Sequence, residues 1–193
     1  MDRLISTETI RRQNLSEWIQ TCHRGQKIRK TDEDYFNHLL RVACEAAPYA
    51  PLAFEIGICH DLLEDTETTS AQLLTKLVEL NYEIYAATQI TEAVVSLTDV
   101  FTKNTFPFLN KKQRKKREAE RLESISPVAQ TIKYADLTDN INWMLVYDRK
   151  HLKNYLLKKH KLVTRLKSGN ALFRNKLLSK IELILDELHL QKR

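Results

Sequence analysis

Glycine and proline are scarce in this chain, three and four residues of 193, and their scarcity removes most of the turn chemistry that β-hairpins require. With Leu, Lys, Glu and Ala frequent, long helices are favoured instead, so the expected fold class is all-α. Cysteine is also scarce. Cys22, Cys44 and Cys59 are odd in number and lack Cys-x-x-Cys spacing, which argues against a disulfide framework and a zinc ribbon. They are expected to be small buried apolar residues. No run of about 18 uncharged apolar residues occurs, and the opening Met1-Asp2-Arg3-Leu4-Ile5-Ser6-Thr7-Glu8 has no apolar stretch of the signal-peptide kind. These absences set the expectation of a soluble, cytoplasmic protein.

What is present suffices for one sizeable core but hardly two. The chain is 42% hydrophobic, and a single domain over 1–193 is expected. The formal net charge is +6 and the pI about 9.2. That charge attracts polyanions without choosing among nucleotides, nucleic acid and anionic membranes.

Apolar periodicity lays out the helices. Leu15, Trp18, Ile19 and Cys22 suggest a first helix ending before the polar stretch 25–34. A second runs from Tyr35 to Ala47, and Pro48 and Pro51 break it. Leu52 to Leu63 then reads as an apolar helix leading straight into an acidic cluster. Thr69 or Ser70 caps a helix to about Leu80, and another spans Glu83 to Leu97. Residues 98–110 read as a loop, Pro127 begins a helix carrying Ile132, Ala135 and Leu137, and two more cover about 148–167 and 170–190. The last carries a stripe of Phe173, Leu177, Ile181, Ile184 and Leu188, suited to packing on the core or to a homodimer seam.

The densest chemistry is His60-Asp61-Leu62-Leu63-Glu64-Asp65-Thr66, four ionisable groups behind Phe54, Ile56 and Ile58. Buried charge must be paired or metal-bound, and adjacent His60 and Asp61 offer a nitrogen and an oxygen ligand. Two other segments hold candidate partners. His38 sits among apolar neighbours at the start of a helix, where a lone histidine is ordinarily a hydrogen-bonded core residue. Asp136 and Asn140 are one turn apart on a shared face; taken alone, Asp136 reads as a surface charge. Together His38, His60, Asp61 and Asp136 offer two imidazoles and two carboxylates, leaving positions for water and substrate on a divalent ion.

These segments resemble the HD metal-dependent phosphohydrolase superfamily, and within it the hydrolase domain of Rel/SpoT homologues, including the stand-alone small alarmone hydrolases. Cys22-His23-Arg24-Gly25-Gln26 followed by Arg29, Tyr35 and His38 is similar to the family's His-x-Gly-Gln, Arg and Tyr-x-x-His opening. His60-Asp61-Leu62-Leu63-Glu64-Asp65-Thr66 is similar to its His-Asp-x-x-Glu-Asp-Thr signature, and Lys133-Tyr134-Ala135-Asp136 with Asn140 to its Lys-x-Ala-Asp-x-x-x-Asn. The resemblance covers about residues 20–145. It implies a single-domain helical bundle holding one Mn²⁺ through His38, His60, Asp61 and Asp136, and removal of the 3′-diphosphate from guanosine tetra- and pentaphosphate. Glu64 and Asp65 would position or deprotonate the nucleophile. Asn140 would contact nucleotide or metal-bound water, and Arg29 would hold substrate by stacking or phosphate contact. His23 and Tyr35 are expected to orient the loop and helix.

The basic run Lys111-Lys112-Gln113-Arg114-Lys115-Lys116-Arg117, with Arg121 beyond, reads as a solvated helix face or as a funnel for a phosphorylated nucleotide. Two departures from the family fall near the nucleotide side. The loop Arg-x-Ser-Gly-Glu-Pro-Tyr reads Arg29-Lys30-Thr31-Asp32-Glu33-Asp34-Tyr35, without Gly or Pro, and Leu-Thr-Lys reads Leu97-Thr98-Asp99, with Lys103 later. The chain is short for the synthetase and regulatory domains of long Rel/SpoT proteins, so hydrolysis alone is expected. Alternatives are an HD phosphatase acting on NADPH or a nucleoside monophosphate and, in a different class, a basic nucleic-acid-binding module with a structural metal.

Overall fold

The computed structural model describes residues 6–190; Met1–Ile5, part of the opening stretch read above, and residues 191–193 lie outside them. The chain divides into two compact units, Met1–Thr98 and Asp99–Arg193. Among the described residues β pairing is confined to one isolated antiparallel bridge, Lys27 with Asp34, and every other element is helical. The all-α expectation holds. No described helix is long and apolar enough to cross a membrane.

In the first unit, α1 (Thr7–Cys22), α2 (Tyr35–Ala46), α3 (Ala53–Cys59), α4 (Leu62–Asp65), α5 (Ser70–Glu79) and α6 (Ile84–Leu97) surround a core that includes Leu39, Val42, Ile56, Ile58, Ile90 and Val94. Burying each such side chain stabilises by about 1.5–3 kcal/mol. Helix α5 opens on a capping box, Thr69 accepting from Gln72 N while the Gln72 side chain accepts from Thr69 N. A 3₁₀ turn at Ala47–Tyr49 and Leu52, at φ 58°, set the entry of α3. Packing of α2 on α3 depends on Gly57: a Cβ there would stand 2.7 Å from Ala43 Cα. Glu55, although 2% exposed, is paired, with Arg12 Nε donating to it at 2.8 Å and so tying α1 to α3.

One expectation is corrected here. The apolar run from Leu52 does not form one helix into the acidic cluster; it stops at Cys59, turns through His60 and Asp61, and resumes for a single turn as α4. Asp61 has φ −101° and ψ 3°, the bridge region in which many active-site residues sit. The cysteine expectation is corrected as well: Cys59 is buried, Cys22 half-buried and Cys44 exposed.

The second unit contains α7 (Lys111–Leu122), α8 (Pro127–Tyr147), α9 (Arg149–Arg165) and α10 (Ala171–Leu190). Helix α7 is the basic run, capped by Asn110 and Gln113 in a second capping box. The α10 residues Phe173, Leu177, Ile181 and Ile184 are buried within this unit, where α10 packs on α8 and α9, so a homodimer would have to use other residues. Between α9 and α10 the chain passes hard against α8: Gln130 Oε1 accepts from Ser168 N and Gly169 N, and Tyr134 donates to Leu166 O at 2.7 Å. A Cβ on Gly169 would meet the Tyr134 ring at 2.6 Å, which excludes any larger residue in that pass.

Candidate metal centre

Packing of α2 on α3 brings three of the four expected ligands together in the first unit. His38 lies on α2, and His60 and Asp61 occupy the break after α3. The His38 and His60 rings are 5.3 Å apart, centroid to centroid, and both side chains are buried. His60 Nε2 lies 3.0 Å and His38 Nε2 3.8 Å from the same oxygen, Asp61 Oδ2.

The opposite side of the His60 ring settles its tautomer. Nδ1 is 2.8 Å from Gly57 O; a carbonyl can only accept, so Nδ1 carries the hydrogen and a neutral ring presents its Nε2 lone pair towards Asp61. A lone pair and a carboxylate oxygen facing each other at 3.0 Å need a positive charge between them, either a second proton or a metal ion. A backbone carbonyl fixing the far nitrogen is also the usual support for a metal-bound histidine. The donor set therefore fits a divalent ion.

Asp61 is prepared for that role. Tyr35 donates to Oδ2 at 2.5 Å. Burial pushes the Asp61 carboxyl up, but His60 carrying the second proton, the Tyr35 hydroxyl and His38 outweigh it and hold the group well below the usual carboxylate range. Asp65 is shifted the other way: partial desolvation by its neighbours and the Asp61 charge push its carboxyl up. Glu64 and Asp65 are exposed, so the pair is not the buried charge that the apolar run suggested. Gln26 supports this edge, its amide donating to Asp65 O at 2.6 Å while its Oε1 lies 2.7 Å from His23 Nδ1. His23 is buried and acts on the loop, as expected.

Arg29 is exposed in a turn closed by Ile28 N donating to Glu33 O at 2.9 Å and by Lys27 Nζ on Asp34 Oδ1 at 2.6 Å. Lys30 takes φ 65° within it, a left-handed conformation ordinarily left to glycine or asparagine. An antiparallel closure thus forms without the family's Gly and Pro.

In the second unit, Asp136 is buried on α8 and held on both oxygens. Asn140 donates to Oδ1 at 2.5 Å and Lys133 Nζ lies 2.8 Å from Oδ2. Asn140 therefore orients Asp136 in this structure. Of the basic run, Lys111, Lys112, Lys115, Lys116 and Arg117 are exposed, whereas Arg114 donates to Leu109 O and Arg121 to Glu118. Glu118 in turn accepts from the amides of Val100 and Phe101, so Arg121 belongs to the fold of the 98–110 loop. Lys133 was legible only as part of the motif; its spacing three residues before Asp136 is the helical ion-pair spacing.

Among the described residues the fold is all-α. A solved structure that shares it is that of a metazoan ortholog of SpoT, described as hydrolysing ppGpp and acting in starvation responses. The two superpose with a TM-score of 0.68 at 23% sequence identity, over 89% of this chain and 93% of that one. No protein-family model and no curated protein matches the chain.

Proposed function

We propose that this chain is a metal-dependent phosphohydrolase of a phosphorylated nucleotide, with guanosine tetraphosphate as its substrate and His38, His60, Asp61 and Asp136 as ligands of one Mn²⁺. The observation that carries the reading is the approach of His38 Nε2 and His60 Nε2 to one Asp61 oxygen, with the His60 tautomer fixed from behind. Asp136 adds a second buried carboxylate, already oriented by Asn140 and Lys133. On this reading the two units serve one HD domain. Substrate choice is supported by the described activity of the metazoan SpoT ortholog that shares the fold.

A divalent ion bound there supplies Lewis acidity and makes water a stronger acid. The chain's own residues do the rest. Asp65, with its pKa raised, is suited to take a proton from the attacking water, because a base is most effective when its pKa lies near the working pH. Glu64 shares its exposed edge and positions the water. Water oxygen bonds to the 3′-phosphorus, the bond from phosphorus to the 3′-oxygen breaks, and that oxygen leaves with a proton, giving diphosphate and GDP. Arg29, exposed in its turn, is suited to hold the nucleotide, and the exposed lysines of α7 are suited to attract its phosphates.

The test is diphosphate release from guanosine tetraphosphate by metal-stripped protein refilled with Mn²⁺, with Asp61→Ala as control. Mn-dependent release by the wild type alone supports the reading. Turnover of NADPH or a nucleoside monophosphate instead redirects the substrate within the class. Nucleic-acid binding that falls steeply with salt, ignores Asp61→Ala and comes with no turnover favours the binding module.

A further inference from the structure

Residues 23–26 form a tight turn from which two side chains reach into the rest of the first unit. Gln26 N donates to His23 O at 3.1 Å, with Gly25 at φ 83° in the third position, where a β-turn of this kind calls for glycine. The turn brings the two side chains together: His23 Nδ1 lies 2.7 Å from Gln26 Oε1. From there Gln26 Nε2 donates to the carbonyl of a residue 39 positions along the chain, Asp65 O, at 2.6 Å. The main-chain carbonyl of Gln26 accepts from Tyr35 N at 3.0 Å. One half-buried residue thus joins the turn that carries Arg29, the start of α2 and the end of α4.

Each partner fixes the next. A carbonyl can only accept, so Gln26 presents its amide nitrogen to Asp65 and its Oε1 to His23, and His23 carries a hydrogen on Nδ1. His23 Nε2, by contrast, is buried and has no hydrogen-bond partner among the described residues. An unpaired buried nitrogen costs stability, so what His23 contributes is the grip of Nδ1 on Gln26. Asp65 is the last residue of a single-turn helix, and its carbonyl is one that the helix itself leaves without an amide. At the other end of that turn the amides of Glu64 and Asp65 donate to Asp61 O at 3.1 and 3.0 Å. Gln26 therefore closes the open end of the segment that begins at Asp61.

We propose that His23 and Gln26 are positioning residues that hold the Asp65 main chain, and with it the carboxylate that serves as base, in a fixed place relative to Asp61. This rests on the nucleotide-hydrolase reading above and adds to it two residues that act through Asp65. The Gln26 amide reaches Asp65 and no metal ligand, so its loss should lower kcat and leave KM and Mn²⁺ affinity in place. A displacement of about 1 Å in a reacting group costs up to about a hundredfold in rate, so partial release of α4 should cost about tenfold.

The experiment pairs guanosine tetraphosphate kinetics with amide hydrogen exchange on the intact chain in Mn²⁺, for the wild type, Gln26→Glu, His23→Leu and His23→Asn. Glutamate keeps the length and the acceptor for His23 but faces Asp65 O with an oxygen; asparagine keeps a donor in the place of Nδ1, and leucine keeps none. Gln26→Glu and His23→Leu are expected to lower kcat about tenfold with KM within about twofold, while the Glu64 and Asp65 amides exchange about tenfold faster. His23→Asn should recover most of kcat and of the protection. Unchanged kcat in Gln26→Glu, a loss carried by KM, or a His23→Asn as slow as His23→Leu overturns the pair. Faster exchange spread evenly over the first unit does so too, since it marks a general loosening. A wild type inert on the nucleotide overturns that reading, and exchange then decides the pair alone: a rise confined to Glu64 and Asp65 leaves it standing, and no rise overturns it.

Discussion

Replacing Gly57 with alanine adds one methyl group to α3 at the point where it passes α2. On helix propensity alone the change should stabilise, because glycine inside a helix costs roughly 0.5–1 kcal/mol relative to alanine. The structure reverses that sign. The new Cβ would stand 2.7 Å from Ala43 Cα and 3.1 Å from Ala43 N, both backbone atoms that no rotamer change can move. Reaching the 3.4 Å of ordinary contact from 2.7 Å requires a shift of about 0.7 Å between the helices. Overpacking of this kind costs about 1–3 kcal/mol, so after the propensity gain the net loss is about 1 kcal/mol at mid-range and at most about 2.5 kcal/mol. For a chain of this length the mid-range loss lowers Tm by roughly 2–4 °C. The same shift separates His38 on α2 from His60 at the end of α3, so manganese affinity should fall by about tenfold. Scanning calorimetry and metal titration measure the two effects. A Gly57→Ala variant with an equal or higher Tm would refute the claim that close α2–α3 packing builds the site.

Two further outcomes are expected. Tyr35→Phe removes the hydroxyl that donates to Asp61 Oδ2 and should weaken Mn²⁺ binding about tenfold with little change in Tm; unchanged affinity in the titration would show that Tyr35 is incidental. Lys159 makes a pH-dependent contribution to stability. Its folded pKa of about 8 lies below the ordinary 10.5, through burial and through Lys133 and Lys115 against Asp136 and Asp99. The folded state therefore binds fewer protons between those values, and its stability rises with pH there. Accordingly, Lys159→Gln should be more stable than wild type at pH 7 in urea denaturation, and the gap should close as pH rises from about 8 towards 10.5. A gap independent of pH would contradict the desolvated position assigned to Lys159.

How far the sequence could be read depended on which signal each segment carried. Helices α2, α6, α8 and α10 follow from apolar periodicity and their breakers, and α5 from Thr69 as its cap. The interruption at His60-Asp61 was hidden because apolar residues continue across it; what stops the helix there is local backbone geometry, to which a hydropathy pattern is blind. Helix α7 has almost no apolar face, so periodicity missed it, yet Asn110 and Gln113 at capping-box spacing were a legible signal. In the site, His38, His60 and Asp61 were recognisable from motif spacing. That Glu64 and Asp65 stand exposed, that Asn140 faces Asp136, and that Gln26 reaches Asp65 depend on packing between distant segments or on side-chain direction.

The central claim is that His38, His60 and Asp61 are built to hold a divalent ion, and counting that ion tests it most directly. Metal-stripped wild type dialysed against Mn²⁺ and analysed for bound metal should retain one ion per chain. Asp61→Ala, with an unchanged circular dichroism spectrum, should lose it at the same free concentration. A wild type that binds no metal, or an Asp61→Ala variant that binds it equally well, would contradict the account.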